Sequence, residues 1–322
     1  MRVTVLSGGV GGARFLLGLR ELGHDTTVIA NTGDDVTMLG LRICPDLDTV
    51  MYTLGGGISA ERGWGRENET FRIRDELSTY AASIEDAGVP DWFGLGDLDL
   101  ATHVLRTQWL QAGVPLSEVT RRLCRRWDTG VRLLPATDAP IETHVDLEDG
   151  RSVHFQEWWV RLHVAVPATG FDIRGVDAAK PAPGVLDALR DADLVLLPPS
   201  NPVVSIGVIL AVPGISAALR ATPAPVVGLS PIVGDAPVRG MADACLAAIG
   251  VETTAEAVAR HYGARPSGGL IDGWLVDERD AHAVAPLRAA GFRAAAVPLM
   301  MDDLGATVAM ARAAVDLPSG AG

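Results

Sequence analysis

The chain has 322 residues, 48% of them hydrophobic and 21% charged, with 40 acidic against 27 basic side chains and a net charge of −13. That size and apolar content suffice for a substantial buried core and exclude global disorder. An acidic chain without a basic patch is repelled by a phosphate backbone, so nucleic acid is excluded as the main partner.

The opening Met1-Arg2-Val3-Thr4-Val5-Leu6 has no leader-like apolar region, so a cytoplasmic location is expected. Val3, Val5 and Leu6 read as a buried strand, followed at once by Ser7-Gly8-Gly9-Val10-Gly11-Gly12. Phe15, Leu16, Leu19 and Leu22 then carry a helical period that stops at Gly23. Thr26 to Ala30 is a second strand ending in Asn31-Thr32-Gly33-Asp34-Asp35. From about Glu61 to Arg132 the pattern is helical with polar interruptions. From Thr143 to Val166 it alternates, with an Asp149-Gly150 turn between His144–Leu147 and Ser152–Phe155, the signature of a β-hairpin. The Pro/Ala-rich run Ala178 to Gly184 reads as a linker.

Strand and helix alternate again afterwards. Helix Val185–Arg190 leads to strand Asp193–Leu197, and helix Ile215–Arg220 to strand Pro225–Leu229. Further strands are expected near Gly273–Val276 and Arg293–Val297, with a final helix over Asp302–Ala314. The longest apolar run, Val203 to Val212, is about half the length of a bilayer-crossing helix and lies between Pro202 and Pro213, so no membrane contact is expected. The whole reads as a single α/β domain, a doubly wound Rossmann-like parallel sheet. Its core covers about 1–50 plus 180–322, and a helical and β-hairpin insertion covers about 51–179.

Ligands of such sheets bind beyond the carboxyl ends of the strands, and unusual loops cluster there. Gly8, Gly9, Gly11 and Gly12 let backbone N–H groups at a helix N-terminus approach a phosphate. Their spacing is neither G-x-G-x-x-G nor a Walker A loop, which argues against a plain dehydrogenase or ATPase. Asp34 and Asp35 are paired carboxylates at a strand end, suited to a metal or to ribose hydroxyls. In Pro45-Asp46-Leu47-Asp48-Thr49, read as extended, Asp46 and Asp48 face the same side and reach one cation. Ser200-Asn201-Pro202 and Ser230-Pro231-Ile232 offer polar and backbone groups for the edge of a base. Cys44, Cys124 and Cys245 lack metal or disulfide spacing and read as small apolar residues. The 26 arginines against one lysine, Lys180, reflect codon usage of a GC-rich genome rather than anion binding.

This ordered set resembles the 2-phospho-lactate transferase family of coenzyme F-420 biosynthesis. The resemblance also takes in Gly63-Trp64-Gly65-Arg66-Glu67-Asn68-Glu69-Thr70-Phe71, the segment Gly96 to His103, and Val276-Asp277-Glu278-Arg279-Asp280. It implies a GMP-releasing, Mg²⁺-dependent transferase acting between a guanosine diphosphate-linked lactate or enolpyruvate and the terminal ribityl hydroxyl of the deazaflavin Fo. Carried over by motif, Asp48 and Asp46 hold the metal, and Asp48 and Asp35 are catalytic. Gly8, Gly9, Gly11 and Gly12 bind phosphate, while Ser200, Asn201, Pro202, Ser230, Pro231 and Ile232 bind guanosine. Asn31, Asp34, Trp64, Thr102, His103 and Arg106 bind the deazaflavin. The resemblance further implies a homodimer, and Asp48→Ala is expected to keep the fold while losing turnover. Where relatives carry Thr, Pro and Lys, this loop has Val10-Gly11-Gly12-Ala13-Arg14, which leaves the backbone role intact. The alternative is a non-enzymatic nucleotide-sugar-binding regulator of the same fold, which is not expected to carry the Trp64–Phe71 and Asp97–His103 segments.

Overall fold

Apolar runs of four to six residues set the architecture. The computed structural model describes residues 1–85, 88–90 and 92–320. Strand β1 (Arg2–Ser7) leads into helix α1 (Gly9–Arg20) and strand β2 (Asp25–Ala30). Helix α2 (Pro45–Leu54), helix α3 (Asp97–Gln111) and strand β3 (Arg132–Pro135) follow. The C-terminal part supplies β4 (Leu194–Leu197), β5 (Val226–Leu229), β6 (Gly273–Val276), β7 (Arg293–Ala296) and helix α4 (Leu304–Asp316).

These seven strands form one parallel sheet in the order β7-β6-β5-β4-β1-β2-β3. The order reverses beside β1, between β2 and β4, so the loops after β1 and β4 flank the switch point where ligands of this class of sheet bind. Alternate residues along each strand point to opposite faces. Val3, Val5 and Val28 join one apolar core, and Leu6, Ile29 and Val195 the other. Helix α1 lies so close to α4 that a Cβ at Gly18 would sit 2.5 Å from the Thr307 carbonyl.

The doubly wound sheet is as expected, but the insertion is not one block. Strand β3, inside the expected insertion, pairs with β2 from Thr27↔Arg132 to Ala30↔Pro135 and forms the edge of the main sheet. A four-residue strand ending in proline is too short to show a period, and proline is tolerated at an edge. Two separate excursions flank it. The first carries helix Arg72–Ser83, which has no buried residue. The second is the expected hairpin, pairing His144↔His154 and Asp146↔Ser152, extended by an additional strand, Ala168–Arg174. Val203 to Val212 lies largely within a π-helical turn, Pro202–Gly207, and a short helix, Val208–Ala211. Among the described residues no single helix is long and apolar enough to cross a membrane.

Candidate active site

The glycine loop after β1 is shaped mainly by the protein itself. A Cβ at Gly11 would lie 2.4 Å from the Pro199 carbonyl, and one at Gly12 2.2 Å from Ser7 Oγ and 2.6 Å from Ser200 Oγ. At Gly8 it would meet Ser205 Cβ at 2.5 Å. These three glycines let α1 press against the loop after β4. Gly9 differs: its φ of +65° requires glycine, and the nearest atom to its missing Cβ is Asp46 Oδ1, 3.9 Å away. Gly8 caps α1 without a side-chain hydrogen bond, and no acidic residue lies in the first turn. The positive end of α1 is therefore served from elsewhere in the chain, by Asp46, which accepts the Gly9 N–H.

Asp46 and Asp48 do not share one site. The segment expected to be extended is the first turn of α2, with Pro45 at its start. Residues two apart on a helix diverge by roughly 200°. Asp46 turns toward Asn31, whose Nδ2 donates to Asp46 Oδ2 and Asp34 Oδ1, both at 2.9 Å, and to the Val204 carbonyl at 3.2 Å. Asp48 turns the other way, toward α3, where Arg106 Nη1 donates to Oδ2 at 2.9 Å and Arg106 Nη2 donates to Oδ1. The consecutive residues Asp34 and Asp35 divide likewise: Asp34 joins Asp46, while Asp35 faces Arg42, Cys44 and the Arg106 side.

Burial dominates the electrostatics of this cluster. It lifts Asp34 well above the usual carboxylate range, aided by the charge of Asp46. It lifts Asp35 to about 7 against the pull of Arg42, and Asp46 to about 6 against hydrogen bonds from Asn31 and Gly9. Neither Asp35 oxygen has a hydrogen-bond partner, and Arg42 Nη2 stands 3.7 Å from Oδ2. The hairpin excursion braces the loop from outside. Thr143 N–H donates to the Gly33 carbonyl at 2.7 Å, Gln156 Nε2 to Asp34 Oδ2 at 3.4 Å, and His154 Nε2 lies 3.3 Å from the Asp35 carbonyl.

Helix α3 is positioned by Glu69. Its carboxylate accepts the N–H groups of Leu98 and Asp99 at 2.8 and 2.7 Å. A Cβ at Gly96 would lie 2.1 Å from Glu69 Cδ, which explains glycine there. Thr102, His103 and Arg106 are all buried, so the structure sets them inside the protein rather than on an open surface. Trp64 is 46% exposed, with the Arg62 guanidinium 5.3 Å from its ring centre.

The hydroxyl and amide groups expected to read a base are engaged internally. Ser200 Oγ donates to the Gly8 carbonyl at 2.8 Å and accepts its N–H at 3.2 Å, locking the loops after β1 and β4 together. Asn201 Oδ1 caps the helical turn that begins at Pro202, accepting from Val203 and Val204 N–H. Ser230 Oγ donates to the Ile232 carbonyl and accepts its N–H, closing a turn through Pro231. These side-chain groups are thus engaged in holding the loops themselves.

A glycine loop, an acidic loop and an acidic helix start thus converge at the switch point. The profile described as 2-phospho-L-lactate transferase CofD matches residues 3–314. The chain belongs to the 2-phospho-L-lactate transferase family. Among its relatives, the phosphoenolpyruvate transferases of Streptomyces coelicolor, Thermobifida fusca and Mycobacterium sp. (strain KMS) are 62%, 58% and 54% identical, each over 98% of both chains. The crystal structure of a UPF0052 family protein from Bacillus halodurans has the same fold, with a TM-score of 0.61 at 17% identity over 97% of this chain and 98% of that one.

Membership of a transferase family raises the question of a metal. Five carboxylates (Asp34, Asp35, Asp46, Asp48 and Asp99) face two guanidinium groups, Arg42 and Arg106. Asp48 is neutralised by Arg106 and Asp35 faces Arg42 at 3.7 Å, whereas Asp34 and Asp46 share the neutral donor Asn31 and, among the described residues, have no cation beside them. This all-oxygen donor set fits a hard divalent cation. Asp48, Asp99 and His103 also lie close enough together to suggest a metal. There, however, Arg106 Nη1 lies 3.0 Å from His103 Nδ1 and Arg106 already holds Asp48, so two of the three groups are engaged by a guanidinium.

Sequence reasoning missed Arg42, Tyr52, Asp99, His154 and Gln156. Only Asp99 and Tyr52 had a readable signal. Asp99 stands four residues before His103, and Tyr52 four after Asp48, each pair on one helix face.

Proposed function

We propose that the chain transfers a phospho-enolpyruvyl or phospho-lactyl group from a guanosine diphosphate derivative to the terminal ribityl hydroxyl of the deazaflavin Fo. GMP leaves, and coenzyme F-420-0 or its dehydro form results. The observation that carries the reading is 54–62% identity, over nearly the whole chain, to relatives named phosphoenolpyruvate transferase. That name favours enolpyruvate over lactate. In the reaction the hydroxyl oxygen bonds to the distal phosphorus, the bond to the bridging oxygen breaks, and GMP carries off that electron pair.

Each step has a candidate group. Asp35, raised to about 7 by burial, suits a general base that takes the hydroxyl proton. The first turn of α1 beyond Gly9 offers N–H groups to phosphoryl oxygens. Trp64 stacks on the deazaflavin rings. Mg²⁺ would be held by Asp46 with Asp34, where it would offset the charge of the diphosphate. Asp48 is assigned to hold Arg106 rather than to bind the metal.

Purified protein with Mg²⁺, Fo and enolpyruvyl-diphospho-guanosine is expected to release GMP and consume Fo in equal amounts, followed by chromatography. Binding of the guanosine compound without GMP release would overturn the transferase reading and favour a nucleotide-binding regulator.

A further inference from the structure

Helices α2 and α3 are joined by a continuous buried chain of polar groups. Tyr52 Oη donates to Asp99 Oδ1 at 2.7 Å, and Asp99 Oδ2 lies 3.4 Å from His103 Nε2. His103 Nδ1 lies 3.0 Å from Arg106 Nη1, and Arg106 grips both oxygens of Asp48. Tyr52 and Asp48 are four residues apart on α2, while Asp99, His103 and Arg106 follow the i, i+4, i+7 face of α3. The two helices are therefore pinned at both ends of one row.

The chain has a defined direction. A guanidinium group has donors only, so the His103 Nδ1 facing Arg106 must offer its lone pair. The ring is then the neutral tautomer with its proton on Nε2, on the side of Asp99. His103 is 1% exposed, and its Nε2 makes no hydrogen bond among the described residues; the carboxylate it faces is that of Asp99, with Oδ2 at 3.4 Å. Asp99 is accordingly the charge that faces this N–H across 3.4 Å, and the Tyr52 hydroxyl holds the Asp99 carboxylate on that side of the ring.

We infer that Tyr52, Asp99 and His103 are positioning residues of the transferase: they fix the His103 tautomer and so hold Arg106 in the orientation that clamps Asp48 beside the acidic loop. They touch no reacting atom and act through Arg106. This inference rests on the transferase reading, but its first test needs no substrate.

In the ligand-free protein, the imidazole ¹⁵N shifts of His103 are expected to show Nε2–H and an unprotonated Nδ1. The opposite tautomer, or an imidazolium at neutral pH, would overturn the inference whatever the protein catalyses. The second test compares two variants. The amide oxygen of His103→Asn sits near the Nδ1 position and still accepts from Arg106, whereas His103→Gln places its amide near Nε2 and leaves Arg106 without that acceptor. His103→Gln is expected to lower kcat by roughly 100-fold with little change in the KM for Fo, and His103→Asn to retain most activity. Equal loss in both, matched by an equal fall in Tm, would show a packing role and overturn the inference, as would full activity in both. Absence of turnover in the unmodified protein would instead count against the transferase reading and leave the tautomer result standing.

Discussion

Asp48 gives both carboxylate oxygens to the guanidinium of Arg106, fifty-eight residues further along the chain, and both side chains are buried. The most prominent aspartate of the sequence motif is thereby an anchor between two helices. It also becomes the place where deleting a side chain harms the fold as well as the chemistry.

Asp48→Ala leaves the Arg106 charge buried and unpaired, which costs about 3–5 kcal/mol. The sequence-based expectation that this variant keeps its fold is therefore revised. Chemical denaturation is expected to show a large loss of stability in Asp48→Ala and also in Asp48→Asn, which is uncharged and turns an amide N–H group toward a guanidinium donor. Equal stability of Asp48→Ala and the unmodified protein would place Arg106 elsewhere.

The acidic loop predicts an unusual pH trend. Asp35 and Asp46 are held at about 7 and about 6, against 3.8 for an unperturbed aspartate. The folded state then binds more protons than the unfolded state between those values, so stability falls as pH rises. The contribution is complete below about pH 4 and is lost as pH climbs through 6 to 7. For Asp35 alone the shift corresponds to about 4 kcal/mol. Ligand-free Tm is expected to drop from pH 5 to pH 8, and Asp35→Asn is expected to flatten the slope. A Tm that rises over this interval would contradict the assignment.

The glycines after β1 separate into two kinds. Gly11→Ala and Gly12→Ala push a methyl group onto the Pro199 carbonyl or onto Ser7 and Ser200, and each is expected to cost about 1–3 kcal/mol in a denaturant titration. Gly9→Ala meets no atom closer than 3.9 Å, and its cost is the backbone strain of a positive φ, about 1–2 kcal/mol. Gly9→Ala is expected to impair nucleotide binding beyond its effect on stability. Gly11→Ala is expected to act through stability.

Trp64 is exposed, so Trp64→Ala is expected to leave stability within about 0.5 kcal/mol of the unmodified protein. Loss of ring stacking is expected to weaken Fo binding about tenfold in a fluorescence titration. Unchanged Fo affinity would remove Trp64 from the acceptor site.

The central sheet was legible because its strands are apolar runs placed regularly between helical patterns. Gly273–Val276 agrees at both ends, and the other expected strands agree to within a residue. Strand β3 escaped because four residues carry no period. The reading of Asp46 and Asp48 erred although a signal was present: Pro45 followed by acidic residues is a helix start. Taking that turn as extended placed both carboxylates on one side, whereas the helix sends them to different partners. The pairings of Asp34 with Asp46 through Asn31, and of Asp99 with His103 and Tyr52, depend on how distant segments pack. No spacing rule reports the first, and helix periodicity hints only at the second.

The most direct test of the account compares single turnover of Fo and enolpyruvyl-diphospho-guanosine in the unmodified protein and in Asp35→Asn. The unmodified protein is expected to form product and GMP. Asp35→Asn is expected to bind Fo with unchanged affinity and to react at least about 100-fold more slowly, the loss typical of a missing general base. Full-rate turnover in Asp35→Asn would remove the acidic loop from the chemistry.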